Sequence, residues 1–317
     1  MSILIAVSDN ENPLVKDVLE TFKAELPERE FVLSGDLFDR RAVSYAVSWK
    51  HKPGALANLP MLEAIFSLGA GVDFLFKDER LPDVALYRVA QDDLTFRMSE
   101  YVVLQCLMHL RDQRRFDLQQ QKHEWIVGST PPTASEVRVG IMGMGVLGTD
   151  AAYKLKTLGF DVAGWSRAPK SVPDIPVFAG EDGLEALLKR TDILVSLLPL
   201  TDQTRGILNL PLFEKLARDG KLAGPVLINP GRGGLQVEED ILKALDDGIL
   251  AGASLDVFDV EPLPENSALW AHPKVILTPH IAAASEAVKT AKYIANQIKL
   301  LEAGKDVPGK VDRSLGY

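Results

Sequence analysis

The stretch from Val137 to Ser166 leaves the chain little freedom in what it can fold into. Val137-Arg138-Val139-Gly140-Ile141-Met142 reads as a buried strand and runs directly into Gly143-Met144-Gly145-Val146-Leu147-Gly148. Thr149–Leu158 continues as a helix that stops at Gly159, and Asp161–Trp165 reads as a second strand. A chain with 24 glycines produces G-x-G-x-x-G by chance, but here the strand before it and the helix after it complete a βαβ unit. In that setting each glycine has a physical task. Gly143 permits the tight turn, Gly145 lets backbone approach a pyrophosphate, and Gly148 lets helix and strand pack closely. The helix N-terminus presents unpaired N–H groups and the positive end of its dipole to phosphates. The sequence therefore points to an α/β chain built on an open parallel sheet that holds a dinucleotide.

The end of the second strand selects the dinucleotide. A site for NAD(H) usually places an acid there, about 20 residues on, against the ribose 2′-hydroxyl. Here the residues are Trp165-Ser166-Arg167-Ala168-Pro169-Lys170, and no carboxylate stands at that end. A hydroxyl and two cations suit a 2′-phosphate, with Arg167 as a forked donor and Lys170 and Ser166 beside it. The expectation is NADP(H) in preference to NAD(H).

The rest of the chain is organised around the same alternation. Ile3–Val7, Phe31–Leu33, Tyr45–Trp49, Ala64–Leu68 and Val84–Arg88 read as strands, and Asn12-Pro13 opens a helix as cap and first turn. A helix is expected from Asp92 to Arg114. Its stripe Phe96, Tyr101, Leu104, Leu107, Met108 and Leu110 suits core packing first, and a dimer contact second. Pro131-Pro132-Thr133 marks a break. Beyond the glycine turn, Ile193–Leu197, Val226–Asn229, Ala253–Val257 and Val275–Thr278 read as strands, and Ala282–Leu301 as a closing helix.

Composition narrows the partners. The 317 residues carry a net charge of -9, which argues against nucleic acid or an anionic membrane surface as the main partner. No apolar run approaches the roughly 20 residues of a membrane helix, and the N-terminus reads as a strand and not as a leader. A cytoplasmic location is expected. The single cysteine, Cys106, sits in an apolar helical stretch and suits core filling; alone it builds neither a disulfide nor a cysteine-based zinc site, and no metal is expected.

Ligands of open α/β sheets bind beyond the carboxyl ends of the strands. After Val226–Asn229 comes Pro230-Gly231-Arg232, after Ala253–Val257 comes Phe258-Asp259-Val260-Glu261, and after Val275–Thr278 comes Pro279-His280. An arginine, a glutamate and a histidine thus fall on one rim. His51, His109, His123 and His272 follow no strand of this second sheet. Reduction of a 2-oxo acid needs such a set. Arg232 can grip a carboxylate in bidentate fashion, His280 can deliver a proton, Glu261 can orient the ring, and a nicotinamide supplies the hydride.

These runs resemble the D-2-hydroxy acid dehydrogenases: Gly143–Gly148, Asn229-Pro230-Gly231-Arg232-Gly233, Leu255–Pro264 and Thr278-Pro279-His280, in this order and across essentially the whole chain. Within that family Trp49, Gly69-Ala70-Gly71-Val72-Asp73, Trp165-Ser166-Arg167, Leu198-Pro199-Leu200-Thr201 and the closing Val311–Tyr317 resemble the glyoxylate/hydroxypyruvate reductases of the A type.

The resemblance implies a Rossmann dinucleotide-binding domain and a smaller flavodoxin-like substrate domain, with a cleft between them. Residues 1–100 would form the substrate domain, 101–281 the NADP-binding domain, and 282–317 a helix and tail returning to the first. It implies Arg232, Glu261 and His280 as the catalytic trio, with substrate contacts at Trp49, Ala70, Gly71, Arg232 and His280. The amides of Ala70 and Gly71 would hold the substrate carboxylate and Trp49 would wall the pocket. Asp256 would hold the nicotinamide carboxamide, and Pro199 and Thr204 would line the adenosine side. Two positions depart from the family's usual pattern: Gln236, where an aliphatic residue is more common, and Ala283, where glycine is. The expected activity is NADPH-dependent reduction of glyoxylate or hydroxypyruvate to glycolate or D-glycerate, by a homodimer. The rivals are an NAD-linked dehydrogenase for a bulkier 2-oxo acid and a cofactor-sensing module like the corepressor relatives.

Overall fold

The computed structural model describes residues 1–316; Tyr317, the last residue of the closing motif, lies outside the described residues. The chain divides into two compact units, one formed by Met1–Leu94 with the chain from Ser285 on, the other by Thr95–Ala284.

The first unit carries β1 (Ser2–Val7), α1 (Pro13–Glu25), β2 (Glu30–Leu33), β3 (Val43–Trp49), β4 (Ala64–Ser67), α2 (Asp73–Phe76) and β5 (Ala85–Tyr87). Its five strands are parallel in the order β2-β1-β3-β4-β5, the doubly wound order of flavodoxin-like sheets. β1 and β3 are buried along nearly their whole length, as a central parallel strand covered on both faces must be. Helix α1 starts where Asn12 accepts from the Leu14 amide with Pro13 in the first turn. The tail is tied back into this unit: the Val311 amide donates to the Leu86 carbonyl, and Arg313 Nη1 donates to the Val84 carbonyl.

The second unit opens within α3 (Asp92–Leu110) and α4 (Gln113–Gln121). The βαβ unit β6 (Arg138–Met142), α5 (Val146–Thr157), β7 (Asp161–Ser166) follows, then β8 (Val177–Ala179), α6 (Gly180–Lys189), β9 (Ile193–Ser196), α7 (Leu210–Phe213), β10 (Val226–Asn229), α8 (Glu238–Asp246), β11 (Gly252–Leu255) and β12 (Val275–Leu277). All seven strands are parallel in the order β12-β11-β10-β9-β6-β7-β8. The order reverses between β6 and β9, and that switch point is where a doubly wound sheet takes its ligand. The glycine turn leaves β6 at this point.

Several expectations shift. The helix expected over 92–114 ends at Leu110, because Asp112 adopts a left-handed conformation (φ 53) and α4 starts anew. Its stripe is only partly core: Tyr101 and Leu110 are buried, while Phe96 and Leu104 are about half exposed. Cys106 is fully buried among apolar neighbours. The boundary falls after Leu94 and not after residue 100, since Met98 packs in the second unit's core; Ala282 does too. The short strand β8 and helix α4 carry too little apolar periodicity to be read from sequence. The closing helix, α9, spans Ala287–Glu302 and not 282–301. No helix among the described residues is long and apolar enough to cross a membrane.

Candidate active site

The glycine turn meets its geometric requirements. Gly143 has φ 103, and a Cβ there would lie 2.6 Å from the Leu197 carbonyl oxygen, so only glycine fits. A Cβ on Gly148 would lie 2.0 Å from the Gly143 carbonyl oxygen, which enforces the close helix–strand approach. A Cβ on Gly145 would meet nothing within 4 Å: the backbone there faces open space. Helix α5 starts at Val146 and not at Thr149, with no side chain capping it. Its first-turn amides therefore belong to the turn itself. Met144 turns inward and lies over Gly164 of β7, where a Cβ would be 2.2 Å from its sulfur. Val146 is exposed and Leu147 packs against the core below.

The residues at the end of β7 are arranged around this turn. Ser166 Oγ donates to the Ala168 carbonyl at 2.7 Å, which folds the strand end back on itself. Arg167 Nη1 donates to Gln203 Oε1 at 2.6 Å. Lys170 Nζ donates to the Met144 carbonyl, so this cation is anchored to the glycine turn. At the end of β9, Thr204 Oγ1 donates to the Pro199 carbonyl at 2.7 Å and accepts from the Thr201 amide at 2.8 Å. The structure thus gives Thr204 the task of folding the loop that carries Pro199.

Three loops at neighbouring strand ends carry the ionisable trio. His280 Nδ1 lies 2.9 Å from both carboxylate oxygens of Glu261. A carboxylate only accepts, so Nδ1 is the donor and Nε2 is the ring nitrogen left for other work. The Phe258 amide also donates to Glu261 Oε1, at 3.2 Å, which steadies the acid. His280 stands at φ 55, a left-handed conformation that L-residues rarely take. Its amide donates to the Asp256 carbonyl at 2.8 Å. The Asp256 carboxylate holds what comes after: Oδ1 accepts from Thr278 Oγ1 at 2.6 Å and the Ile281 amide at 3.0 Å, and Oδ2 accepts from the Ala282 amide at 3.0 Å. Tyr101 Oη lies 2.9 Å from Thr278 Oγ1 and extends the chain of hydrogen bonds to α3. Burial pushes the Asp256 carboxyl up, against these donors and the nearby His280. The visible work of Asp256 is therefore to clamp the His280 turn.

Arg232 follows β10 in a loop set by Asn229. Asn229 Oδ1 accepts from the Gly231 amide at 3.1 Å and its Nδ2 donates to the Arg232 carbonyl at 3.1 Å. Asn229 Nδ2 also donates to Gln236 Oε1 at 2.8 Å, and Gln236 Nε2 donates to the Val257 carbonyl at 2.9 Å. A Cβ on Gly233 would lie 1.9 Å from the Phe258 carbonyl carbon. The Arg232 loop is thus pressed against the loop bearing Glu261. Arg232 is half-buried, with Nη1 donating to the Gly231 carbonyl at 2.8 Å. In the first unit, the Trp49 ring at the end of β3 lies against Gly69 just after β4, where a Cβ would be 2.4 Å from the ring; Ala70 and Gly71 follow Gly69 in the chain.

Residues 103–282 match the model for the D-isomer specific 2-hydroxyacid dehydrogenase, NAD binding domain. A glyoxylate/hydroxypyruvate reductase A of Serratia proteamaculans is 41% identical over 285 residues, which is 88% of this chain and 89% of that one. The chain belongs to the D-isomer specific 2-hydroxyacid dehydrogenase family. The glyoxylate/hydroxypyruvate reductase A of Escherichia fergusonii is 40% identical over 306 residues, 94% of this chain and 95% of that one. Among solved structures, the NADPH-dependent glyoxylate/hydroxypyruvate reductase of Sinorhizobium meliloti in complex with NADP and sulfate is 44% identical. It superposes with a TM-score of 0.91 over 100% of this chain and 99% of that chain. A probable 2-hydroxyacid dehydrogenase of Rhizobium etli in complex with NADP, HEPES and L(+)-tartaric acid is 42% identical, with a TM-score of 0.92 and the same coverage.

For a dehydrogenase of this family, the residues present fit the dinucleotide. Open space in front of Gly145 and uncapped amides at α5 accommodate a pyrophosphate. The cations Arg167 and Lys170 stand where the second strand ends. Among the described residues no group of three or more His, Cys, Asp or Glu side chains is placed to hold a metal ion. The sequence alone pointed to neither Asn229 nor Gln203 as a positioning side chain. Gln236 did stand out, as a departure from the family's pattern, and the structure supplies its use as a strut between the loops after β10 and β11.

Proposed function

We propose that the chain is an NADPH-dependent reductase of small 2-oxo acids, converting glyoxylate or hydroxypyruvate to glycolate or D-glycerate. The observation that carries this reading is the Glu261–His280 pair, with Nδ1 engaged by both carboxylate oxygens and Nε2 left to face a substrate. Arg232, on the adjoining loop, binds the substrate carboxylate and polarises the carbonyl to be reduced. His280 gives its Nε2 proton to the developing alkoxide, and Glu261 holds the ring and balances its charge. When bound, the nicotinamide supplies the hydride. Ala70 and Gly71 contribute backbone amides to the substrate carboxylate, and Trp49 contacts the substrate. Ser166, Arg167 and Lys170 serve the 2′-phosphate, Pro199 and Thr204 line the adenosine side, and Asp256 meets the carboxamide while clamping the His280 turn.

We further propose a cytoplasmic homodimer. The exposed apolar side chains that support a dimer are Phe96 and Leu104 of α3 and Trp125, Ile126 and Val127 beyond α4, all at least half exposed. Light scattering on the purified protein should give twice the mass of one chain.

Initial rates with NADPH and NADH against a panel of 2-oxo acids test the main reading. Glyoxylate and hydroxypyruvate with NADPH should give the highest kcat/KM. Preference for NADH at equal concentration, or faster turnover of a large aliphatic 2-oxo acid, would replace it with the NAD-linked alternative.

A further inference from the structure

The first unit holds a second histidine relay that the reduction chemistry does not use. Ser48 Oγ lies 2.8 Å from His51 Nδ1, and His51 Nε2 lies 3.1 Å from Asp78 Oδ2. Asp78 Oδ2 also accepts from the Gly54 amide at 2.7 Å, and Oδ1 from the Arg80 amide at 3.1 Å. Because the carboxylate accepts, Nε2 must donate to it; in the neutral ring Nδ1 then accepts from the Ser48 hydroxyl. Burial pushes the Asp78 carboxyl up, but the Gly54 and Arg80 amides and His51 outweigh it and hold the group below the usual carboxylate range. The order Ser–His–Asp matches that of hydrolytic triads. Yet Ser48 has no exposed surface, and the His51 and Asp78 side chains are 1% and 5% exposed. No substrate reaches that hydroxyl, so the relay is not a nucleophile.

What the relay does is visible in the residues it brackets. Ser48 and His51 flank Trp49 and Lys50, and Lys50 is in the left-handed region at φ 46. That conformation is strained for an L-residue, so the turn needs outside support. The Ser48–His51 bond closes it, and the Asp78 bonds fasten it to the segment after α2. Phe74 of α2 packs edge-on against both rings, 6.0 Å from His51 and 5.3 Å from Trp49. The Trp49 indole is thereby pressed onto Gly69, where even a Cβ would sit 2.4 Å from the ring. Gly69 opens the turn that continues through Ala70 and Gly71, itself tied by Ser67 Oγ to the Gly69 amide and the Gly71 carbonyl, both at 3.2 Å.

We propose that Ser48, His51 and Asp78 are positioning residues that lock the Trp49 indole against Gly69, where the Gly69–Gly71 turn begins, and so set the size of 2-oxo acid that the enzyme accepts. This rests on the reading that Trp49 and this turn face the substrate. A fixed indole excludes bulk; an indole released from its turn swings away and admits it while loosening the grip on the smallest acids.

The test is a KM-against-kcat comparison with glyoxylate and the branched 2-oxoisovalerate, on His51→Gln, Ser48→Ala and Trp49→Ala. Loss of one buried hydrogen bond in the relay should raise the KM for glyoxylate about 10-fold. It should leave the KM for NADPH unchanged and lower the glyoxylate-to-2-oxoisovalerate ratio of kcat/KM. Adding His51→Gln to Trp49→Ala should shift that ratio no further, since the relay acts through the indole. An unchanged ratio in His51→Gln and Ser48→Ala, with Trp49→Ala altering it, would overturn the relay's role. A ratio unmoved even by Trp49→Ala would overturn the placement of Trp49 at the substrate. Should His51→Gln fail to fold, Ser48→Ala, which removes one donor with little change of volume, decides alone.

Discussion

His280 and His109 lie in the same seven-stranded unit and show how differently the fold treats one side chain. His280 sits at a strand end with its side chain 36% exposed and its Nδ1 on a carboxylate. His109, in α3, lies beneath the sheet: Nε2 is 2.8 Å from Ser254 Oγ, Ser254 donates to Gln105 Oε1 at 2.7 Å, and Gly252 of β11 leaves room for the ring. No acid touches His109 in that network, and burial pushes it down to about 4. An imidazole becomes a proton donor through an anionic partner and access to the reaction, and a neutral strut when it has only hydroxyl and amide neighbours.

The comparison is broken most severely by removing the exposed ring. His280→Ala should lower turnover by at least ~100-fold, the usual scale of a general acid; steady-state rates near those of the parent would remove His280 from that role. The buried ring should show itself in stability and not in turnover. Its folded-state pKa is lowered from the ordinary 6.5 to about 4. The unfolded chain therefore binds the proton first: the stabilisation is complete above pH 6.5 and is lost as pH falls from 6.5 toward 4. The loss is on the order of 3 kcal/mol. Urea unfolding at pH 7 and pH 4 measures it, and a His109→Gln variant whose stability falls just as steeply would refute the assignment. The smallest effect concerns the cations beyond β7. Arg167→Ala should raise the KM for NADPH about 10-fold, one charge-assisted hydrogen bond, and spare NADH. Equal weakening of both cofactors would remove Arg167 from the 2′-phosphate.

Much of this site was legible because it is local. The strand, the glycine turn and the helix occupy consecutive residues, and their periodicity needs no partner to be read. Arg232, Glu261 and His280 were found by their place just after strands. Legibility failed where distant groups capture the backbone. Ala282–Ser285 reads as helix, but Asp256 takes the Ile281 and Ala282 amides and holds the chain in a turn, so α9 waits until Ala287. The stripe on α3 reads as core, yet Phe96 and Leu104 face outward, because periodicity says which residues share a face and not what covers it.

The sequence by itself determined that a dinucleotide turn exists, that its strand end lacks an acid, and that three ionisable residues follow three strands. Only the tertiary structure decided who meets whom. Sheet order brings β11 and β12 side by side, and with them Glu261 onto His280. It runs Gln236 from Asn229 to Val257, and sets Asp78 against His51, 27 residues away. Such pairings depend on which strands and loops become neighbours, a property of the whole packed chain that no local window contains.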